Sequence, residues 1–360
     1  MSTHNSPSVD VHCRERPLLT FFVCAYKQER FIREAVQAAL DQTYSPLEIV
    51  LSDDCSPDRT FAIMGEMANS YQGPHRVILN RNSSNLGLGR HINRVVEVST
   101  GDLLVGAAGD DISLSTRGAA CFEAWECSGR RATSIHSAFH KIDSEGRMLR
   151  VFDEPRSDRE AGQVHAEAVE PLAFVRTLQP SVAGSTHAFS RDLFRIFGGL
   201  SSETVHEDEV LAFRSVLAGE IWFISKPLVQ YRVHGDNVFA RTWTRSTDMQ
   251  VLEREEGWMA RDLQTRKAMY EAFRHDLDSA LSQKLVSPIV YEKLASEIAS
   301  LRARILLKQE FLASGLFARV GMLGSLWVRG LEFRERRAFL VRLIPQALLL
   351  RMRQARNYLR

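Results

Sequence analysis

Two short apolar runs in this chain stop on adjacent carboxylates. Residues 47–52 (LEIVLS) lead to Asp53 and Asp54, and residues 103–108 (LLVGAA) lead through Gly109 to Asp110 and Asp111. A short apolar run bounded by turn residues predicts a buried strand. In α/β sheets the carboxyl ends of such strands open on a crevice that takes ligands. Two carboxylates on that edge repel each other unless a cation or a ligand proton lies between them. Hard divalent cations accept oxygen ligands of this kind, completed by substrate phosphates. Taken alone, an Asp pair is more simply an Asx-type turn after a strand. The surrounding pattern decides between the two.

That pattern alternates. Residues 18–24 (LLTFFVC) predict a first buried strand, and Ile32, Ala35, Val36, Ala39 and Leu40 then recur at the spacing of one buried helix face. A second helix, 58–71, is started by the Ser56-Pro57-Asp58 cluster. A short strand at 76–79, an Asn/Ser/Gly-rich loop at 80–89 and a helix at 89–98 complete the approach to the 103–108 strand. Strands alternating with helices of this length predict βαβ units and a largely parallel sheet. On one sheet edge, all four carboxylates line one crevice.

The 360 residues, 44% hydrophobic and 25% charged, suffice for an ordinary globular core. The net charge of +2 is unevenly spread. Residues 315–360 hold ten Arg against two Glu, and that surplus of +8 leaves −6 on the rest. Five Cys in no metal-type spacing predict free thiols in a reducing cytosol. The leader, residues 1–17, is polar, without the apolar segment of a signal peptide, and is expected to be mobile. No stretch approaches the ~18 consecutive apolar residues of a membrane span. A cytoplasmic protein is expected, in reach of the inner membrane face.

The ordered set Tyr26-x-x-Glu29, Gln42-Thr43, Glu48-Ile49, Asp53-Asp54-x-Ser56-x-Asp58, Asn85-x-Gly87, Asn93, Gly101-Asp102 and Asp110-Asp111 resembles the family 2 glycosyltransferases of GT-A fold. The resemblance extends over residues 18–237. It implies a nucleoside diphosphate sugar as donor and a divalent metal, Mg or Mn, as cofactor. On that resemblance Ala25, Tyr26, Glu29, Asp53, Asp54, Asn85, Gly87, Asn93 and Asp110 serve the donor nucleotide, and Asp111 the metal. The family's usual Asp-x-Asp-Asp cluster here reads Ala108-Gly109-Asp110-Asp111, so the first acid is absent.

Beyond residue 115 the pattern loosens. A strand at 132–136, a turn at 142–146, a charged surface loop or acceptor-side flap at 151–170 and a strand-like 184–190 are expected, then a short helix from Arg191. Glu207, Asp208 and Glu209 open another helix. Acids there complement the helix dipole, each for under ~1 kcal/mol. Sugar transfer with inversion also needs a carboxylate to take the acceptor proton. The resemblance gives that role to Asp208, with Glu207 on the acceptor side. Strands at 221–225 and 228–231 lead to Arg232, a phosphate contact or a surface ion pair, and to His234, a metal ligand by resemblance or a solvated turn residue.

From residue 248 onward helices are expected almost continuously. The Arg-rich segment 315–360, with Trp327, Phe333 and Phe339, fits an amphipathic stretch on an anionic membrane. Helices packed on the domain with solvated Arg faces fit it equally. Nucleic acid is not expected as a partner, since no recognised nucleic-acid module accompanies the tail.

The chain is thus expected to divide into a leader (1–17), an α/β nucleotide-sugar domain (18–248) and a helical extension (249–360). Its expected activity is inverting, metal-assisted transfer of a sugar to a hydroxyl of a glycan or lipid-linked acceptor. A non-catalytic nucleotide-sugar-binding scaffold, favoured by Ala108, is the alternative. A nucleotidyltransferase ranks below both, because residues 25–29 lack the Gly-rich phosphate loop.

Overall fold

The computed structural model describes residues 16–149, 163–235, 249–315 and 320, with backbone alone for 249–256 and 258. The expected 151–170 flap therefore falls partly, and the leader and basic tail almost wholly, outside the described residues.

Strands β1 (Leu19–Ala25), β2 (Leu47–Asp53), β3 (Arg76–Arg81) and β4 (Leu103–Ala108) alternate with helices α1 (Ile32–Leu40), α2 (Thr60–Ser70) and α3 (Leu88–Val98). The predicted elements are all present, within one or two residues at most ends. The four strands are parallel in the order β3-β2-β1-β4. Side chains alternate across a strand, so Phe21 and Val23 join one apolar cluster while Phe22 joins the other. Both sheet faces are covered, which is why these strands read as continuous apolar runs.

The second half is mixed. After β5 (Ile112–Ser113) and α4 (Arg117–Cys127) come β6 (Ala132–Ile142), β7 (Val164–Glu167), α5 (Pro171–Thr177), β8 (Ala188–Ser190), α6 (Asp192–Phe197), α7 (Glu207–Ala218) and β9 (Glu220–Arg232). Strand β8 lies antiparallel between β4 and β6, and β6 runs parallel to β9. Four of the eight strand pairings are antiparallel, more than the largely parallel sheet expected.

The two strands expected at 221–225 and 228–231 are one strand, β9. Pro227 does not end it, because the register slips on either side of Ala138, the residue opposite. Proline is tolerated at such irregularities, where no ladder donor is required. The strand-like reading of 184–190 holds only for its last residues; Gly184–Thr186 is a 3-10 turn.

Helices α8 (Met249–Ser282) and α9 (Pro288–Ala313) follow. The second starts where Ser287 accepts a hydrogen bond from the Val290 amide and Pro288 occupies the first turn. Leu263, Phe273, Leu277, Leu294 and Ile298 share a cluster with Phe22, Val50, Leu104 and Phe213, so the extension completes one face of the sheet. Among the described residues, no helix is long and apolar enough to cross a membrane.

Candidate functional site

The carboxyl ends of β1, β2 and β4 bring Ala25, Asp53 and the 108–111 segment to one edge, as the alternation predicted. The half-buried Cys24 thiol at the end of β1 feels both Asp54 and Glu207, so the first acidic pair and the start of α7 flank the same strand end. Gly109 is needed at this junction. A Cβ there would lie 2.2 Å from Gln28 Oε1 and 2.8 Å from Ala25 Cβ.

The two carboxylates of the first pair do different work. Asp54 spends both oxygens on the next loop: Oδ1 accepts from Asn82 Nδ2 and the Leu86 amide, each at 2.8 Å, and Oδ2 from the Gly87 amide at 3.0 Å. Asn85 Oδ1 accepts from the same Gly87 amide at 3.2 Å. Gly87, at φ +76°, takes the left-handed turn that starts α3. Asp53 Oδ2 accepts from the Ser56 amide at 2.9 Å and pairs with Arg81 at 3.5 Å, whereas Oδ1 is buried without a partner.

Three other expected donor residues are engaged by protein. Glu29 and Asp58 clamp two loops reciprocally, Glu29 Oε2 accepting from the Arg59 amide while Asp58 Oδ2 accepts from the Glu29 amide. Asn93 binds both backbone groups of Leu200 at 2.7 and 2.8 Å. Arg232 is 1% exposed. Its Nε donates to the Asp110 carbonyl at 2.8 Å, one terminal nitrogen pairs with Glu34 at 2.9 Å, and the guanidinium lies 4.8 Å from the Phe31 ring. So deep a guanidinium is not a surface ion pair; held by these acceptors, it braces the acidic segment from behind. Tyr26 remains exposed at the crevice edge.

The second pair lies against His234 and Arg232. Asp110 Oδ2 lies 3.0 Å from His234 Nε2. Asp111 Oδ1 accepts from the Arg232 amide at 2.8 Å, but Oδ2 has no hydrogen-bond partner. Burial, followed by the neighbouring Asp110 charge, pushes the Asp111 carboxyl up to about 7. Both facts suit a cation as the partner of this carboxylate. Asp110, Asp111 and His234 offer a hard donor set suited to Mg²⁺ or Mn²⁺, although no complete cluster of three such ligands is formed among the described residues. Substrate oxygens would complete the shell.

Antiparallel pairing with β4 carries the chain before β8 back to this same edge, and the Gly106 amide donates to the His187 carbonyl at 3.0 Å. There the Gly184 amide donates to Asp208 Oδ2 at 3.1 Å. Asp208 lies in the first turn of α7, whose dipole favours its ionised form. Burial outweighs the dipole: it pushes the Asp208 carboxyl up to about 6, assisted by Glu209, and holds Glu207 well above the carboxylate range. A carboxylate poised near neutrality is suited to accepting a proton. Sequence reasoning missed the 184–185 turn, Glu34 and Phe31, since only tertiary pairing brings them here.

Residues 20–164 match the sequence profile described as glycosyl transferase family 2. EpsE of Bacillus subtilis, named as a glycosyltransferase, is 32% identical over 101 residues, 28% of this chain and 36% of its own length. EpsJ of the same organism, also named as one, is 34% identical over 95 residues, 26% of either chain. The matched segments thus span only about a quarter to a third of these relatives. The crystal structure of TarS from S. aureus aligns with a TM-score of 0.52 at 15% identity, over 94% of this chain and 52% of TarS. At that identity the likeness is one of fold.

Proposed function

We propose that the chain transfers a sugar from a nucleoside diphosphate sugar to a hydroxyl of a glycan or lipid-linked acceptor, inverting the anomeric centre; the match of residues 20–164 to the glycosyl transferase family 2 profile and a fold like that of TarS support the reading. The observation that carries the reading is that one short turn donates to the carboxylate expected to act as base, Asp208, and lies beside the carboxylate expected at the diphosphate, Asp111.

In this reading the unpartnered Asp53 Oδ1 is left to accept a hydrogen bond from the nucleotide. Asp54, Asn85 and Gly87 set the loop around it, while Glu29, Asn93 and Arg232 hold the surrounding elements. Asp110, Asp111 and His234 would hold a divalent cation, which when bound supplies charge neutralisation at the departing diphosphate. Asp208 accepts the proton of the attacking hydroxyl, with Glu207 beside it on the acceptor side. Placement on the cytoplasmic side, with the basic tail on an anionic surface, belongs to the same proposal.

The test is thermal stability of the purified protein with UDP, GDP, dTDP or CDP, each with Mn²⁺, Mg²⁺ or chelator. A ligand bound only by the folded state raises the midpoint by mass action. A rise with one nucleotide that needs the cation is expected. No rise with any nucleotide would remove the donor, and with it the transferase reading.

The pH profile is a second check. Because the Asp208 carboxyl is pushed up to about 6, its base form is lost as pH falls through that value. At saturating substrates the transfer rate is expected to fall about tenfold per pH unit below the break. A rate flat from pH 7 to pH 4.5 would exclude a base with that environment.

A further inference from the structure

Buried polar atoms without partners are rare in folded proteins, and each calls for an explanation. Three of them gather around one turn: Asp111 Oδ2, Ser185 Oγ and Glu207 Oε2. The turn, Gly184–Thr186, is pressed against the start of α7. A Cβ on Gly184 would lie 2.7 Å from Glu207 Oε1 and 3.6 Å from Asp208 Oδ2, while its amide donates to Asp208. The next residue, Ser185, lies near enough to Asp111 to pull that carboxyl down, though neither Asp111 Oδ2 nor Ser185 Oγ completes a well-formed hydrogen bond. Consecutive residues therefore reach towards the two ends of the reacting centre.

The chemistry of these oxygens narrows what could satisfy them. Carboxylate oxygens need donors or cations. A diphosphate offers only acceptors, and the nucleotide's donor groups belong at the other end of the crevice, beside Asp53. A cation would take Asp111 Oδ2, leaving Glu207 Oε2 to be met by a hydroxyl, while Ser185 Oγ, which donates as well as accepts, can meet a phosphate oxygen or a hydroxyl. The hydroxyl-bearing part of the donor that must lie between diphosphate and base is the sugar being transferred.

We propose that the Gly184–Ser185 turn is the floor of the transferred-sugar subsite and that the Ser185 hydroxyl hydrogen-bonds a hydroxyl of that sugar, so that Ser185 helps select the donor. This rests on the glycosyl-transfer reading. Gly184 is kept small because any side chain would meet Glu207 where the sugar must pass.

The experiment compares dissociation constants of the full chain for a nucleoside diphosphate and its sugar conjugate, UDP against UDP-glucose and UDP-N-acetylglucosamine, and GDP against GDP-mannose, with Mn²⁺ present. Ser185→Ala is expected to weaken the bound sugar conjugate about tenfold, the loss of one well-placed hydrogen bond, and to leave the free diphosphate unchanged. Ser185→Thr, which keeps the hydroxyl, is expected to retain most of the sugar-dependent affinity. Equal weakening of conjugate and free diphosphate would overturn the assignment by placing Ser185 at the cation or phosphates. Unchanged affinity for both would overturn it as well. A wild-type chain that binds none of UDP, GDP, dTDP and CDP would overturn the glycosyl-transfer reading, and this inference with it.

Discussion

Asp208→Asn is expected to abolish transfer while leaving nucleotide binding nearly intact. The substitution keeps shape and removes the proton acceptor, and general-base catalysis is worth about 10²–10⁴-fold in rate. Asn can still accept the Gly184 amide through its carbonyl oxygen, so the bond now 3.1 Å long need not be lost. Stability should move the other way. In the folded chain the Asp208 carboxyl is pushed above the ordinary carboxylate range, chiefly by burial and then by Glu209. An acid raised on folding opposes the folded state once it must ionise, so its cost grows as pH rises from about 4 through about 6. Asp208→Asn should therefore melt higher than wild type at pH 8 and close to it at pH 4. Measured together, initial rates, nucleotide affinity and melting curves at the two pH values separate a base from a structural carboxylate. Normal turnover by Asp208→Asn would end its assignment as base. A lost rate with a melting point lowered at both pH values would mark it as structural.

What the sequence shows of this site divides along the range of the interactions involved. Asp53, Asp54, Asp110 and Asp111 are legible because each pair follows a strand whose apolar run is a local signal, and parallel strands share one carboxyl edge. The acids opening α7 are legible for the same reason, as a helix start. The burial of Arg232 is not legible because its environment is not local. Its partner Glu34 lies 198 residues away, and only the closing of β9 against α1 turns an apparent surface arginine into a buried brace. Ser185 carries no local signal at all. It reaches the site because β8 runs antiparallel to β4, a pairing that three residues of strand cannot announce. The single strand β9 escapes for a related reason, since Pro227 reads as a break until the irregular register of β6 is seen opposite it.

The helical extension looks from sequence like an appendage, but Arg214 ties it to the helix that carries Asp208. Arg214 is on α7, two turns beyond Asp208, and is 2% exposed; Asp276 on α8 is 1% exposed. Their two contacts, at 2.8 and 3.1 Å, form a bidentate pair, and a further Arg214 nitrogen donates to the Gly198 carbonyl at 2.8 Å. Beside them Phe213 and Phe273 stack with centroids 4.3 Å apart. The Asp276 carboxyl is nevertheless raised, since its burial outweighs the attraction of Arg214. Desolvation thus consumes what the pair gains, and the consequence is asymmetric. Arg214→Ala leaves a buried carboxylate alone and should cost about 3–5 kcal/mol, lowering the midpoint by about 1–2 °C for each kcal/mol in a chain this large. With its guanidinium gone, Asp276 is raised further, so the loss should be greater at pH 8 than at pH 5, where the carboxyl can protonate instead. The double replacement Arg214→Met with Asp276→Leu should recover most of the stability, because apolar groups of similar volume carry no desolvation penalty. If the single and double variants melt alike, the bridge is not what joins α8 to α7, and the aromatic stack becomes the joint. If only the single variant loses stability, and transfer falls with it, the extension holds the base helix in place through this pair.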